Sequence, residues 1–122
     1  MNLTTFEQFS ELATRGTFVP VCKEIMADLL TPVSAFLKIA EHSDYAYLFE
    51  SVEGGEQVAR YSFLGKDPFL TLRSHDGQVT MERGGATSVS AAPFVPTLRT
   101  LMDEFRSPHV PGLPRFTGGA VG

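Results

Sequence analysis

A carboxylate and a hydroxyl, Glu50 and Ser51, close an otherwise apolar run, Tyr45-Ala46-Tyr47-Leu48-Phe49. Arg60 and Tyr61 open the next such run, Arg60-Tyr61-Ser62-Phe63-Leu64-Gly65. Buried without partners, polar groups like these cost roughly 1–3 kcal/mol or more. Two readings meet that demand. In the first, a small ligand carries both charges, as an amino acid does. Glu50 or a nearby carbonyl would hold its ammonium, and Arg60 or backbone N–H groups its carboxylate. Ser51 would donate or accept, and Leu48 and Phe49 would help to form an apolar pocket. The second is a solvent-exposed strand end with an ordinary Glu50–Arg60 pair across a hairpin. Spacing alone favours the second.

The elements around these residues follow from pattern. Aromatic and branched residues predict strands over Tyr45–Phe49 and Arg60–Gly65, with Glu53-Gly54-Gly55-Glu56 as the break between them. Upstream, Thr4-Thr5-Phe6-Glu7 fits a capping box with Thr4 as N-cap, and Phe6, Phe9, Leu12 and Ala13 share one helical face up to Gly16. Phe18 to Met26 reads as a strand. Thr31-Pro32 starts a second helix, Thr as N-cap and Pro at the first helical position. Val33, Phe36, Leu37 and Ala40 then recur at helical spacing and predict its buried face.

Downstream, Phe69–Arg73 and Val79–Arg83 flank Asp76-Gly77 and predict a hairpin. Gly84-Gly85 ends it, and Ala86 to Ala92 suits another short strand. Pro96 starts a third helix, with Leu98, Leu101, Met102 and Phe105 on one face. Ser107 to Pro114 holds three prolines and a glycine and predicts an extended connection. The fold class is therefore α+β, a mainly antiparallel sheet with packed helices.

Composition narrows the function. At 122 residues the chain has the size of one domain. A net charge of −4 and a pI near 5.3 argue against a nucleic-acid-binding surface. Cys22 is the one cysteine, which excludes an intrachain disulfide and makes a reducing cytoplasm the simplest setting. No signal peptide opens the chain, and no apolar run approaches membrane-spanning length. His42, His75 and His109 lack metal-ligand spacing, and Gly118-Gly119 with Gly122 does not meet a phosphate-loop pattern. No catalytic set can be assembled.

Three stretches, in order, resemble the N-terminal domain of anthranilate synthase component I. They are Thr31-Pro32-Val33-Ser34-Ala35-Phe36, then Glu50-Ser51-Val52-Glu53-Gly54-Gly55-Glu56 with Arg60-Tyr61-Ser62-Phe63-Leu64-Gly65, then Arg115-Phe116-Thr117-Gly118-Gly119-Ala120-Val121-Gly122. The resemblance covers residues 17–122 and does not reach the family's catalytic domain.

The resemblance implies a site for the feedback inhibitor L-tryptophan, lined by Pro32, Leu48, Phe49, Glu50 and Ser51, with Ser34 beside Pro32. A further contact comes from the second strand, where some members have a lysine. Ungapped spacing brings that place to Tyr61, with Arg60 adjacent, and strand alternation lets one of the two face the pocket. The parent family makes anthranilate from chorismate, with Mg²⁺ and with ammonia released from glutamine by component II, an amidotransferase. None of its catalytic or metal-binding residues falls here. The expectation is one N-terminal domain, 1–122, cut before the chorismate-binding domain, inactive alone and prone to self-association. Aminodeoxychorismate synthase component I and a stand-alone amino-acid-binding or protein-interaction module are the rival readings.

Overall fold

The computed structural model describes residues 4–53 and 59–122, with backbone alone at 51–53 and 59–60. Its elements are α1 (Phe6–Ala13), α2 (Pro32–Ala40), β1 (Ala46–Glu53), β2 (Ala59–Lys66), β3 (Leu70–His75), β4 (Gln78–Arg83), β5 (Ala86–Ser90) and α3 (Phe94–Met102). Strands β1 and β2 pair as one antiparallel sheet, and β3-β4-β5 form a second. With three helices beside antiparallel sheets, the class is α+β. The break at Gly54-Gly55-Glu56 lies outside the described residues.

The described residues fall into two compact units. One holds the chain up to Ile25 together with Leu72–Glu82 and Ala86–Gly122; the other holds Met26–Thr71 and Arg83–Gly85. The first contains both apolar side chains that are buried among the described residues, Val79 on β4 at 3% exposure and Leu101 on α3 at 9%. The three-stranded sheet β3-β4-β5 is closed by two tight turns. Asp76 and Gly77 have φ of 48° and 74°, and Gly84 and Gly85 have 58° and 78°. Two successive positive φ values suit a two-residue hairpin on right-twisted strands, which explains why Asp-Gly and Gly-Gly stand there. Arg73 Nη1 lies 2.9 Å from Glu82 Oε1, tying β3 to β4 on the exposed face.

The entry to this unit departs from the expected pattern. The predicted strand from Phe18 to Met26 is absent, and the segment has no regular structure. Thr17 holds it in place instead. Its N–H donates to Arg106 O at 2.8 Å, and its hydroxyl donates to Glu104 O at 2.6 Å. Arg106 N–H donates back to Thr17 Oγ1 at 2.9 Å. The Phe18 ring meets Phe105 edge-on, with centroids 6.0 Å apart. Gly16 is needed here, because a Cβ on it would collide with Arg106 O and lie 2.6 Å from Pro108 Cδ.

The first helix is capped one residue later than expected. Thr5 Oγ1 accepts from Gln8 N–H at 3.2 Å, and Gln8 Oε1 accepts from Thr5 N–H at 2.9 Å. Thr4 is engaged elsewhere: its N–H donates to Cys22 O at 3.0 Å, and its Oγ1 accepts from Cys22 N–H at 2.9 Å. The third helix starts at Phe94 rather than at Pro96, and ends at Met102, before Phe105.

In the second unit, α2 packs against both β1 and β2. Thr31 caps it and Pro32 opens it, as Thr31-Pro32 predicts, and Ser34 completes a capping box as the reciprocal partner. The buried stripe is narrower than periodicity suggests. Phe36 and Ala40 are half-buried, but Val33 and Leu37 are 56% and 65% exposed. A helix of nine residues laid on two strands covers a single row of its side chains.

Candidate functional site

Strand register decides which candidate residues stand together. In β1–β2, Tyr47 pairs with Gly65, Phe49 with Phe63 and Ser51 with Tyr61. At the alternate positions Leu48 pairs with Leu64, Glu50 with Ser62 and Val52 with Arg60. Directly opposed residues of an antiparallel pair share a face, and successive ones alternate. The candidates therefore divide into two rows. Phe49 and Tyr61 belong to one, which also takes in the register position of Ser51. Leu48 and Glu50 belong to the other, with the register position of Arg60.

The first row is aromatic. Tyr47 and Phe49 lie 5.2 Å apart between ring centroids, and Tyr61 and Phe63 6.4 Å apart at an interplanar angle of 30°. Such offset pairs favour a fixed ring geometry. Tyr47 extends over Gly65, whose missing side chain leaves room for the ring; a Cβ there would lie 2.7 Å from Tyr47 Cζ. Phe49 remains 52% exposed, so the row presents an open apolar surface. Tyr47 and Phe63 were not singled out from sequence, although they sit two residues from Phe49 and Tyr61. That spacing was the available signal.

Pro32 and Ser34 stand at the start of α2. Pro32 is exposed and occupies the first helical position. Ser34 Oγ accepts from Thr31 N–H at 2.8 Å and donates to Thr31 O at 3.0 Å, so the helix cap engages its hydroxyl. Glu50 is exposed. The Glu50–Arg60 pair lies outside the described residues, since only the backbone of Arg60 is described; the two occupy diagonal positions of one row.

The open ends of the hairpin strands meet at a small polar lock. Asp67 N–H donates to Tyr45 O at 3.1 Å, and Ser43 Oγ lies 2.7 Å from both Tyr45 O and Asp67 Oδ1. Lys66 Nζ is 3.0 Å from Asp67 Oδ2. The Ser43 hydroxyl, and after it Lys66, holds the Asp67 carboxyl below its ordinary range. A depressed carboxylate stabilises the fold above its unfolded pKa, and that contribution disappears as pH falls through the folded value. Ser43→Ala is expected to move the Asp67 titration, followed by carboxyl-carbon NMR, upward toward the ordinary aspartate value. An unmoved midpoint would show that Ser43 does not donate to Asp67.

Among the described residues, no group of three or more His, Cys, Asp or Glu could hold a metal ion. No helix among the described residues is long and apolar enough to cross a membrane.

Comparison with known proteins identifies the relatives. The chain is 42% identical over 118 residues to anthranilate synthase component 1 of Synechocystis sp., a match covering 96% of this chain and 23% of the relative. It is 40% identical over 119 residues to the Acetivibrio thermocellus protein of that name, covering 97% and 24%. This chain matches an N-terminal part of anthranilate synthase component 1. The Pseudomonas aeruginosa anthranilate synthase component 1 is 39% identical over 119 residues, again with 95% of this chain and 24% of the relative. The chain thus spans about a quarter of the length of the anthranilate synthase component 1 proteins it matches. No family model and no solved structure matches it.

Proposed function

We propose that this chain is the feedback-regulatory, tryptophan-binding part of an anthranilate synthase component 1. The observation that carries the reading is the match to proteins of that name over nearly the whole chain, including the Glu50-Ser51 and Arg60–Gly65 stretches. The geometry is compatible with it, since an aromatic row in which Phe49 is exposed and the other rings are half-buried flanks the register position of Ser51, and an indole ring needs an apolar surface. The relatives' name favours anthranilate synthase over aminodeoxychorismate synthase.

On this reading the whole enzyme converts chorismate to anthranilate, using ammonia that a glutamine amidotransferase component II supplies. The described residues offer no donor cluster for its Mg²⁺, so no chemical step is assigned to them. Tryptophan acts by binding one state of the enzyme more tightly than another, which is the requirement for any effector. The assembly works in the cytoplasm.

The purified chain, given chorismate, Mg²⁺ and ammonium, is expected to produce no anthranilate fluorescence, whereas a full-length enzyme carrying it produces anthranilate under tryptophan inhibition. Tryptophan should also bind the isolated chain at least tenfold more weakly than the full-length enzyme, because a bound amino acid needs most of its surface covered. The chain has no Trp, so the emission of added tryptophan reports binding directly. Exposed apolar side chains such as Met26 at 91% and Leu29 at 99% favour self-association of the isolated chain. A full-length enzyme indifferent to tryptophan would overturn the regulatory reading. Micromolar binding by a monodisperse isolated chain would show that these residues hold a complete pocket.

A further inference from the structure

The two compact units differ in what they bury. Val79 and Leu101, the buried apolar side chains among the described residues, both belong to the first. In the second, Met26–Thr71 with Arg83–Gly85, none of the described side chains is buried. Its framework is the two-stranded sheet β1–β2 with the nine-residue helix α2 packed against it. A lone hairpin is marginal in water and relies on a helix or on further strands to cover it. Here the helix itself needs cover. Val33 and Leu37, one turn apart on α2, are exposed, and so are Leu29 and Leu30 just ahead of the Thr31 cap.

We propose that this face, made by Leu29, Leu30, Val33 and Leu37, is the docking surface for the remaining polypeptide of a component 1 enzyme, and that the second unit takes its core from that contact. The proposal rests on membership of the component 1 family and not on tryptophan binding. Three arguments select the occupant. A unit this short buries little surface even when well packed, so cover for its apolar face has to come from outside it. The chain makes up about a quarter of its relatives' length, so about three-quarters of such an enzyme is present to supply that cover. In such an enzyme the cover is also covalently attached. A tethered surface reaches an effective concentration in the millimolar range for a short flexible link, far above that of a second copy in solution. The face also has the layout of a contact surface. Its four apolar positions are flanked in sequence by the exposed Asp28 and Lys38, which calls for an apolar partner with a polar margin.

The test introduces one side chain at two neighbouring positions of α2 in a full-length enzyme carrying this chain. Leu37→Gln places an amide on the proposed surface, and Lys38→Gln places the same amide on its flank. Glutamine suits a helix at either position. Amide hydrogen exchange of α2, followed by mass spectrometry, reports how readily the unit opens. Leu37→Gln is expected to speed that exchange by about tenfold or more, as loss of a covered leucine would, and Lys38→Gln to leave it within about twofold. In the isolated chain, where the face is open, α2 is expected to exchange about 100-fold faster or more than in the full-length enzyme. The pair of substitutions is read in the full-length enzyme alone, so it decides the matter whether or not the isolated chain folds. Equal exchange in the two variants would overturn the proposal, since the face would then meet only water. Equal protection of α2 in the isolated chain and the full-length enzyme would also overturn it, by showing that residues 1–122 cover the face themselves. A Leu37→Gln effect that vanished on dilution of the enzyme would give the face to a second copy and overturn it too. None of these outcomes bears on the tryptophan-binding reading, which inhibition tests separately.

Discussion

Ser51→Phe, placed in a full-length enzyme carrying this chain, is expected to raise the tryptophan concentration for half-inhibition by about 100-fold or more. That is the upper end of ordinary allosteric coupling, so feedback would in practice be lost. The expectation follows from register. Position 51 stands opposite Tyr61 and next along β1 from Phe49 on the aromatic row. On the proposed tryptophan-binding reading, a benzyl group introduced there competes with the indole for the same surface. An effector with no differential affinity for two states shifts nothing, however the enzyme responds otherwise. The measurement is the ratio of anthranilate production with and without tryptophan, taken for each enzyme against its own uninhibited rate. An unchanged half-inhibition concentration would remove Ser51 from the site.

The second large effect concerns stability. Leu101→Ala should destabilise the chain by about 2–4 kcal/mol, the range for deleting a well-packed leucine. Together with Val79 it forms the buried part of the described residues, and a small core has few contacts to redistribute when one side chain is cut back. Since whole domains are stable by roughly 5–15 kcal/mol, that loss takes a large fraction. Leu37→Ala provides the contrast. Leu37 is 65% exposed on α2, and its truncation should cost less than about 0.5 kcal/mol. Urea unfolding followed by circular dichroism measures both. A Leu37→Ala cost equal to that of Leu101→Ala would mean that another part of the molecule covers α2.

Local signals made much of this fold legible. Asp76-Gly77 announced its hairpin because only a few residues accept two consecutive positive φ values. Thr31-Pro32 announced α2 because capping is decided within four residues. The failures came where a distant partner decides. Val19 and Val21 alternate as in a strand, yet a strand needs a neighbour, and Phe18 bonds instead to Arg106 O at 3.1 Å. Two adjacent threonines could cap α1; Cys22 engages Thr4, and Thr5 is left for the helix. Likewise Val33 and Leu37 fit a helical stripe, but the width of the surface beneath α2 is not written in α2. For the candidate site, the residue types were readable and their grouping was not. Leu48, Phe49, Glu50 and Ser51 are contiguous in sequence, and contiguity places neighbours on opposite faces of a strand.

The hold that Thr17 has on residues 104 and 106 spans 87 and 89 positions of chain. During synthesis, α1 leaves the ribosome early, and its anchor is made nearly ninety residues afterward. Closing so long a loop costs roughly 4 kcal/mol in chain entropy on the logarithmic scaling, an expense that the short hairpins β1–β2 and β3–β4 do not face. Contacts of high sequence separation slow folding in proportion to how much of the structure depends on them. On that scaling the short hairpins are expected to close before the opening residues of the chain dock onto residues 104 and 106.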